Sequence, residues 1–169
     1  MIKGQLNLFN DTIEEVKNTR ISVTTFKLQL VKESSGKYNL ESKKISSPSD
    51  CYYAIVEIFQ PEAEAEEVLQ MLTLDTKNKI TGAFTISRGS LNSSIVHPRE
   101  VFKRAILNNA ASIIITHNHP SGDPQPSNED ISITKRLMEC SKILGIDILD
   151  HIITGDRGYY KSLKEMGCL

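Results

Sequence analysis

The segment ASIIIT, residues 111–116, constrains the fold more than any other part of the chain. It is short, apolar and β-branched, the composition of a strand buried on both faces. Before it, PREVFKRAILNNA (98–110) places Val101, Phe102, Ala105 and Ile106 on one helical face and begins with a proline suited to a first turn. After it, SNEDISITKRLMECSKILG reads as a second long helix with Gly145 as its C-cap, and IDILDHIITG as another strand. Helix, buried strand, helix and strand in succession require a sheet with helices packed against it.

Upstream, SSPSDCYYAIVEIF begins with cap-type residues and Pro48, then places Tyr52, Ile55, Val56 and Phe59 at helical spacing, which predicts a helix from about Pro48 to Phe59. EVLQMLTLDTKNKITGAFTISRG holds two apolar-alternating runs separated by DTKNK and predicts an antiparallel hairpin. RISVTTFKLQLV (20–31), with the turn-like ESSGKYNLES after it, suggests another, weaker hairpin. The expected architecture is α/β: a single layered domain over 47–169, with a mixed, partly antiparallel sheet flanked by helices. An N-terminal extension, 1–46, containing a small β-hairpin would precede it. With 169 residues, 39% of them hydrophobic, the chain has enough apolar material for one core and is too short for a barrel of eight βα units.

Lys and Arg number 20 against 21 Asp and Glu, and no block of basic residues forms an electrostatic footprint for nucleic acid. The N-terminus has no signal-peptide core and no stretch approaches the roughly 18 apolar residues of a membrane span, so a soluble, cytoplasmic protein is expected. Cys51, Cys140 and Cys168 are odd in number and far apart, which suits reduced thiols better than disulfides or a thiolate metal site.

The strand leads directly into THNHPSGDPQPSNED, 116–130. Side chains two apart share a face only on extended backbone, so His117 and His119 can converge on one ion if the strand continues through them, with Asn118 facing away. Pro120 biases His119 towards extended geometry, and SGDPQP restricts where the next helix can begin. Ser127 can cap that helix, and Asp130 lies in its first turn, where the helix dipole favours the carboxylate. Ser127-x-x-Asp130 is also a fair capping box with no further role. Two imidazoles and a carboxylate nevertheless make a three-ligand zinc set of the catalytic kind.

The pattern His117-x-His119, seven residues, Ser127, two residues, Asp130 resembles the JAMM metallohydrolase motif of the MPN domain family. HNHPSGDPQPSNEDI, with VHPREVFKRAI upstream and ILDHIITG downstream, resembles more closely the RadC family of bacteria, over roughly Ser47 to Gly167. The resemblance implies an MPN/JAMM-like fold with cytidine-deaminase-like layering. It further implies that His117, His119 and Asp130 bind one Zn2+ ion, that Ser127 steadies the reaction intermediate and that an upstream glutamate is the general base. The family's placement of that residue before the first strand, and its spacing to Asp75, select Glu67. Glu66 is the neighbour one register away, and both cannot face the metal from one strand. Complete RadC chains resemble two-part proteins with a helix-hairpin-helix region before this domain, whereas residues 1–45 read here as a β-hairpin.

The implied activity is hydrolysis of a peptide or isopeptide bond in a peptide or protein substrate, by water whose pKa zinc lowers from nearly 16 to about 7. Two other classes remain: a nucleic-acid-associated or nuclease protein, suggested by the family name but unsupported by charge, and a non-catalytic MPN-type scaffold. His97 and His151 read as structural, with an outer-shell role open to them. Ser87 to Ser94, SRGSLNSS, reads either as an exposed loop or as part of a substrate groove.

Overall fold

The computed structural model describes residues 22–27, 29–40, 42–89 and 96–169. Helix α1 (Pro48–Phe59) starts as expected: Ser47 and Asp50 form a reciprocal capping box and Pro48 occupies the first turn. A single 3-10 turn (Pro61–Ala63) leads to β1 (Val68–Leu74), which pairs antiparallel with β2 (Ile80–Arg88) across the DTKNK turn. Helix α2 (Pro98–Leu107) precedes β3 (Ser112–Asn118), and α3 (Asn128–Leu144) precedes β4 (Asp147–Thr154). A short strand β5 (Tyr160–Ser162), invisible in the sequence pattern, pairs antiparallel with the end of β4.

The sheet order is β2-β1-β3-β4-β5, with β3 antiparallel to β1 and parallel to β4. β3 is therefore an interior strand, and helices cover both faces of the sheet at it, which explains its unbroken apolar run. Ile113 and Ile115 point into a core formed with Val101, Phe102, Ile133 and Leu137 of α2 and α3, while Ile114 points the other way, into a second core with Ile55 of α1, Leu72 and Ile152. The mixed sheet between helical layers is the α/β domain that the sequence predicts.

Three boundaries differ from expectation. Helix α2 stops at Leu107 because Asn108 and Asn109 turn the chain, Asn109 with φ 51° and Asn108 donating its side-chain amide to Thr73. β3 continues three residues beyond the isoleucine run, to Asn118. The N-terminal hairpin is not formed among the described residues: 22–27 and 29–40 contain neither strand nor helix, and Arg20, Ile21, Leu28 and Glu41 lie outside them. Alternation alone does not hold a two-stranded hairpin whose apolar face is uncovered, and Val23, Phe26 and Val31 remain 73, 89 and 77% exposed. No helix among the described residues is long and apolar enough to cross a membrane. The three cysteines are free thiols.

Candidate metal centre

β3 ends with His117 facing the α3 side, and the chain then leaves the sheet in a tight turn. The His119 N–H still donates to the Thr154 carbonyl at 2.8 Å, which holds the second histidine at the tip of the parallel ladder. The turn closes by Gly122 N–H to His119 O, at 3.0 Å, and docks on the end of β4 by Asp156 N–H to Gly122 O, at 2.8 Å. Gly122 has φ 82°, a conformation few other residues adopt. Helix α3 then begins at the Ser127 cap. Ser127 and Asp130 form the reciprocal capping box, and the Ser127 hydroxyl also donates to Asp130 Oδ2 at 2.7 Å. Asp130 is thereby oriented from behind by its own cap.

These elements bring His117, His119 and Asp130 together. His117 Nε2 lies 3.0 Å from His119 Nε2 and 3.2 Å from Asp130 Oδ1, and His119 Nε2 lies 3.5 Å from Asp130 Oδ2. Ligands held tetrahedrally at the zinc distance of about 2.0–2.1 Å stand about 3.3 Å apart, and the cluster is of that size, with Asp130 meeting His117 through Oδ1 and His119 through Oδ2. The proton inventory agrees. His119 Nδ1 lies 2.7 Å from the Asp123 carbonyl, which can only accept. A neutral His119 therefore carries its proton on Nδ1 and turns the Nε2 lone pair inwards.

Burial raises the Asp130 carboxyl, but the two imidazoles and the Ser127 hydroxyl prevail and hold it well below the usual carboxylate range. Burial lowers the His117 imidazole against the opposing pull of Asp130, whereas the hydrogen-bonding Asp130 raises the less buried His119. The cluster thus presents an ionised carboxylate and, at His117, a desolvated imidazole held neutral, as a divalent ion requires, whereas His119 must give up the proton that Asp130 favours.

Glu67 directly precedes β1, whose Leu69 pairs with His117. Strand alternation puts residues 67 and 69 on one face, and the Glu67 charge acts on both His117 and His119. Glu66 is exposed, and its charge acts on Arg88. His97 occupies the N-cap position of α2 without a side-chain capping bond and is outside the cluster. Of the SRGSLNSS loop, Ser87 and Arg88 end β2 and Gly89 follows them, while residues 90–95 lie outside the described residues.

One further contact escaped the sequence reading, and the outer-shell role left open for His151 acquires its partners. Asn118, between the two histidines, accepts from Val68 N–H at 2.8 Å and donates to the Glu66 carbonyl at 2.9 Å, so its amide grips the backbone on both sides of Glu67. His151 lies behind His117, with Nε2 2.8 Å from His117 Nδ1, and its own Nδ1 is 2.6 Å from the Thr134 hydroxyl. Only the polar middle residue of the His-x-His pattern signalled the first, and only a histidine in an otherwise apolar strand signalled the second.

An α/β sheet carrying a His-x-His strand tip against a capped, aspartate-bearing helix defines the JAB class of candidate metal-binding domains. Residues 45–168 match the family described as the RadC-like JAB domain, and the chain belongs to that family. It is similar to a UPF0758 protein of Clostridium acetobutylicum, 48% identical over 171 residues, covering 99% of this chain and 73% of the relative. A UPF0758 protein of Clostridium botulinum is 47% identical over 172 residues, covering 98% of this chain and 74% of the relative. One of Methanosarcina mazei is 54% identical over 127 residues, covering 74% of this chain and 53% of the relative.

Proposed function

We propose that this domain is a zinc-dependent hydrolase of the JAMM type that cleaves a peptide or isopeptide bond in a peptide or protein substrate. The observation that carries the reading is the convergence of His117, His119 and Asp130 at separations of 3.0 to 3.5 Å. Three protein ligands are the number that catalytic zinc sites use, whereas structural sites use four. Zinc bound there supplies the Lewis acidity that brings the pKa of water from nearly 16 to about 7.

The chain's own groups divide the remaining work. Glu67, whose charge acts on both imidazoles, accepts the proton of the attacking water and returns it to the leaving amine. Ser127 turns its hydroxyl from the Asp130 carboxylate to the developing oxyanion, a donor of the kind whose loss lowers the rate by about a hundredfold or more. His117, His119 and Asp130 hold the metal and take no proton from the substrate.

The test is metal analysis and turnover on the same samples, with linear peptide, branched peptide and DNA as substrates. Wild type is expected to bind one zinc and to cleave peptide or branched peptide. Glu67→Gln and Ser127→Ala keep the zinc and lose turnover, and His119→Ala loses both. Loss of zinc in Ser127→Ala assigns Ser127 to the ligand set, and wild-type turnover in Glu67→Gln moves the base elsewhere. Cleavage of DNA alone overturns the reading, as does a protein that binds no divalent metal.

A further inference from the structure

We infer that His151 and Thr134 are positioning residues of the metal centre, which fix the tautomer and ring plane of His117 and tie that ligand to the helix that delivers Asp130. The inference rests on the metal-centre reading above. His151 is fully buried, yet it joins the two candidate ligands through one chain of contacts. His117 Nδ1 meets His151 Nε2 at 2.8 Å, His151 Nδ1 meets Thr134 Oγ1 at 2.6 Å, and Thr134 Oγ1 meets the Asp130 carbonyl at 2.6 Å.

The direction of every proton in this chain follows from its last member. A carbonyl only accepts, so the Thr134 hydroxyl donates to Asp130 O and must itself accept from His151 Nδ1–H. A neutral His151 then has a bare Nε2, which accepts from His117 Nδ1–H. A neutral His117 in turn keeps the lone pair of Nε2, the atom that faces His119 and Asp130. One threonine hydroxyl on α3 thereby selects, two residues away, the tautomer of His117 that can ligate. Outer-shell partners of this kind orient the ligand ring and raise its basicity.

The circuit depends on a local irregularity of β4. Ile113 pairs with Ile148 but Ile114 pairs with Asp150, so Leu149 is an extra residue and the alternation of β4 reverses there. Ile148 packs in the α2–α3 core, and beyond the bulge Ile152 packs on the α1 side. The reversal turns Asp150 towards Ser162 and sends His151 to the side of His117 and α3. Without the bulge, Asp150 would occupy the position behind the ligand.

The experiment measures zinc affinity by competition with a chromophoric chelator, alongside urea unfolding of the metal-free protein and 15N spectra of its labelled histidines. His151→Leu is expected to weaken zinc about 10–100-fold, with Thr134→Val weakening it in the same direction. His151→Gln recovers most of the loss, because its amide can accept from His117 and donate towards Thr134. The spectra of metal-free wild type should show Nδ1–H tautomers for both His117 and His151. If His151→Leu does not fold, Thr134→Val, nearly isosteric, carries the same test. Unchanged zinc affinity in folded variants, or an Nε2–H tautomer at His117, overturns the inference and leaves the hydrolase reading standing. Wild type that shows both tautomers and binds no zinc overturns the hydrolase reading and this inference with it.

Discussion

Asn118 faces away from the cluster, and its consequence lies across the sheet. β1 and β3 pair as far as Leu69 and His117, and beyond that the chain must leave the ladder to form the ligand turn. The Asn118 amide takes over as a surrogate peptide, satisfying Val68 N–H and Glu66 C=O on either side of Glu67. Asn118→Ala leaves both backbone groups without that partner and should cost roughly 1–3 kcal/mol in urea unfolding. It should also slow cleavage more than it weakens zinc, since the ligands stay on their own elements while Glu67 is loosened. Equal losses in both would show that Asn118 serves the ligands instead.

Asp150 makes the opposite kind of contribution. It is 3% exposed, accepts from Ser162 Oγ, His151 N–H and Lys164 N–H, and burial raises its carboxyl despite those bonds. A carboxyl raised on folding favours the native state at pH values below its unfolded pKa, and that benefit is lost as pH rises through the folded value. Asp150→Asn should remove this loss, so the stability difference between variant and wild type should widen in the variant's favour from pH 4 to pH 7. A difference independent of pH would mean that Asp150 folds with an unshifted carboxyl. Asp130, held low by its neighbours, has the reverse dependence in both proteins and cancels in the comparison.

At the scale of elements, the turn between β3 and α3 is aimed by the loop after β4. A Cβ on Gly155 would lie 2.2 Å from the Gly122 carbonyl oxygen, a backbone atom with little room to yield. Gly155→Ala should therefore displace the 119–124 turn, lower stability by about 1–3 kcal/mol and weaken zinc, both read from one titration of the melting temperature with metal. Retention of wild-type zinc affinity would show that the turn holds His119 without help from the loop after β4. The cap of α3 was legible beforehand because it is local: Ser127 and Asp130 are three residues apart and their bonds need only the helix. The bulge at Leu149 was illegible because a single extra residue in a strand leaves the apolar run unchanged while reversing every side chain beyond it.

For the whole molecule, the three candidate ligands come from a strand tip, the turn that follows and a helix start, brought together on the α3 side of the sheet. An ion that binds only this arrangement stabilises the fold by mass action, about 2.7 kcal/mol when free metal is 100 times its Kd. That corresponds to a rise in melting temperature of about 5–10 °C, which a chelator should reverse. A melting temperature indifferent to zinc, with zinc bound, would mean that the unfolded chain holds the metal equally well. The N-terminal segment makes the same point in reverse. RISVTTFKLQLV alternates like a strand, yet its described residues form none, because pairing needs a partner surface that alternation does not supply.

By itself the sequence determined the elements whose causes are local: capped helices at Ser47 and Ser127, the buried isoleucine strand, the β1–β2 hairpin, and the presence of two histidines and an aspartate in one short stretch. Only the tertiary structure brought the start of β1, about 50 residues before His117, alongside the end of β3, so that the Glu67 charge acts on both histidines. Only it placed His151 and Thr134 behind the ligand and gave Asn118 its two backbone partners. Local spacing fixes which groups a turn can offer, whereas contacts between distant strands depend on register, and register is a property of the folded sheet.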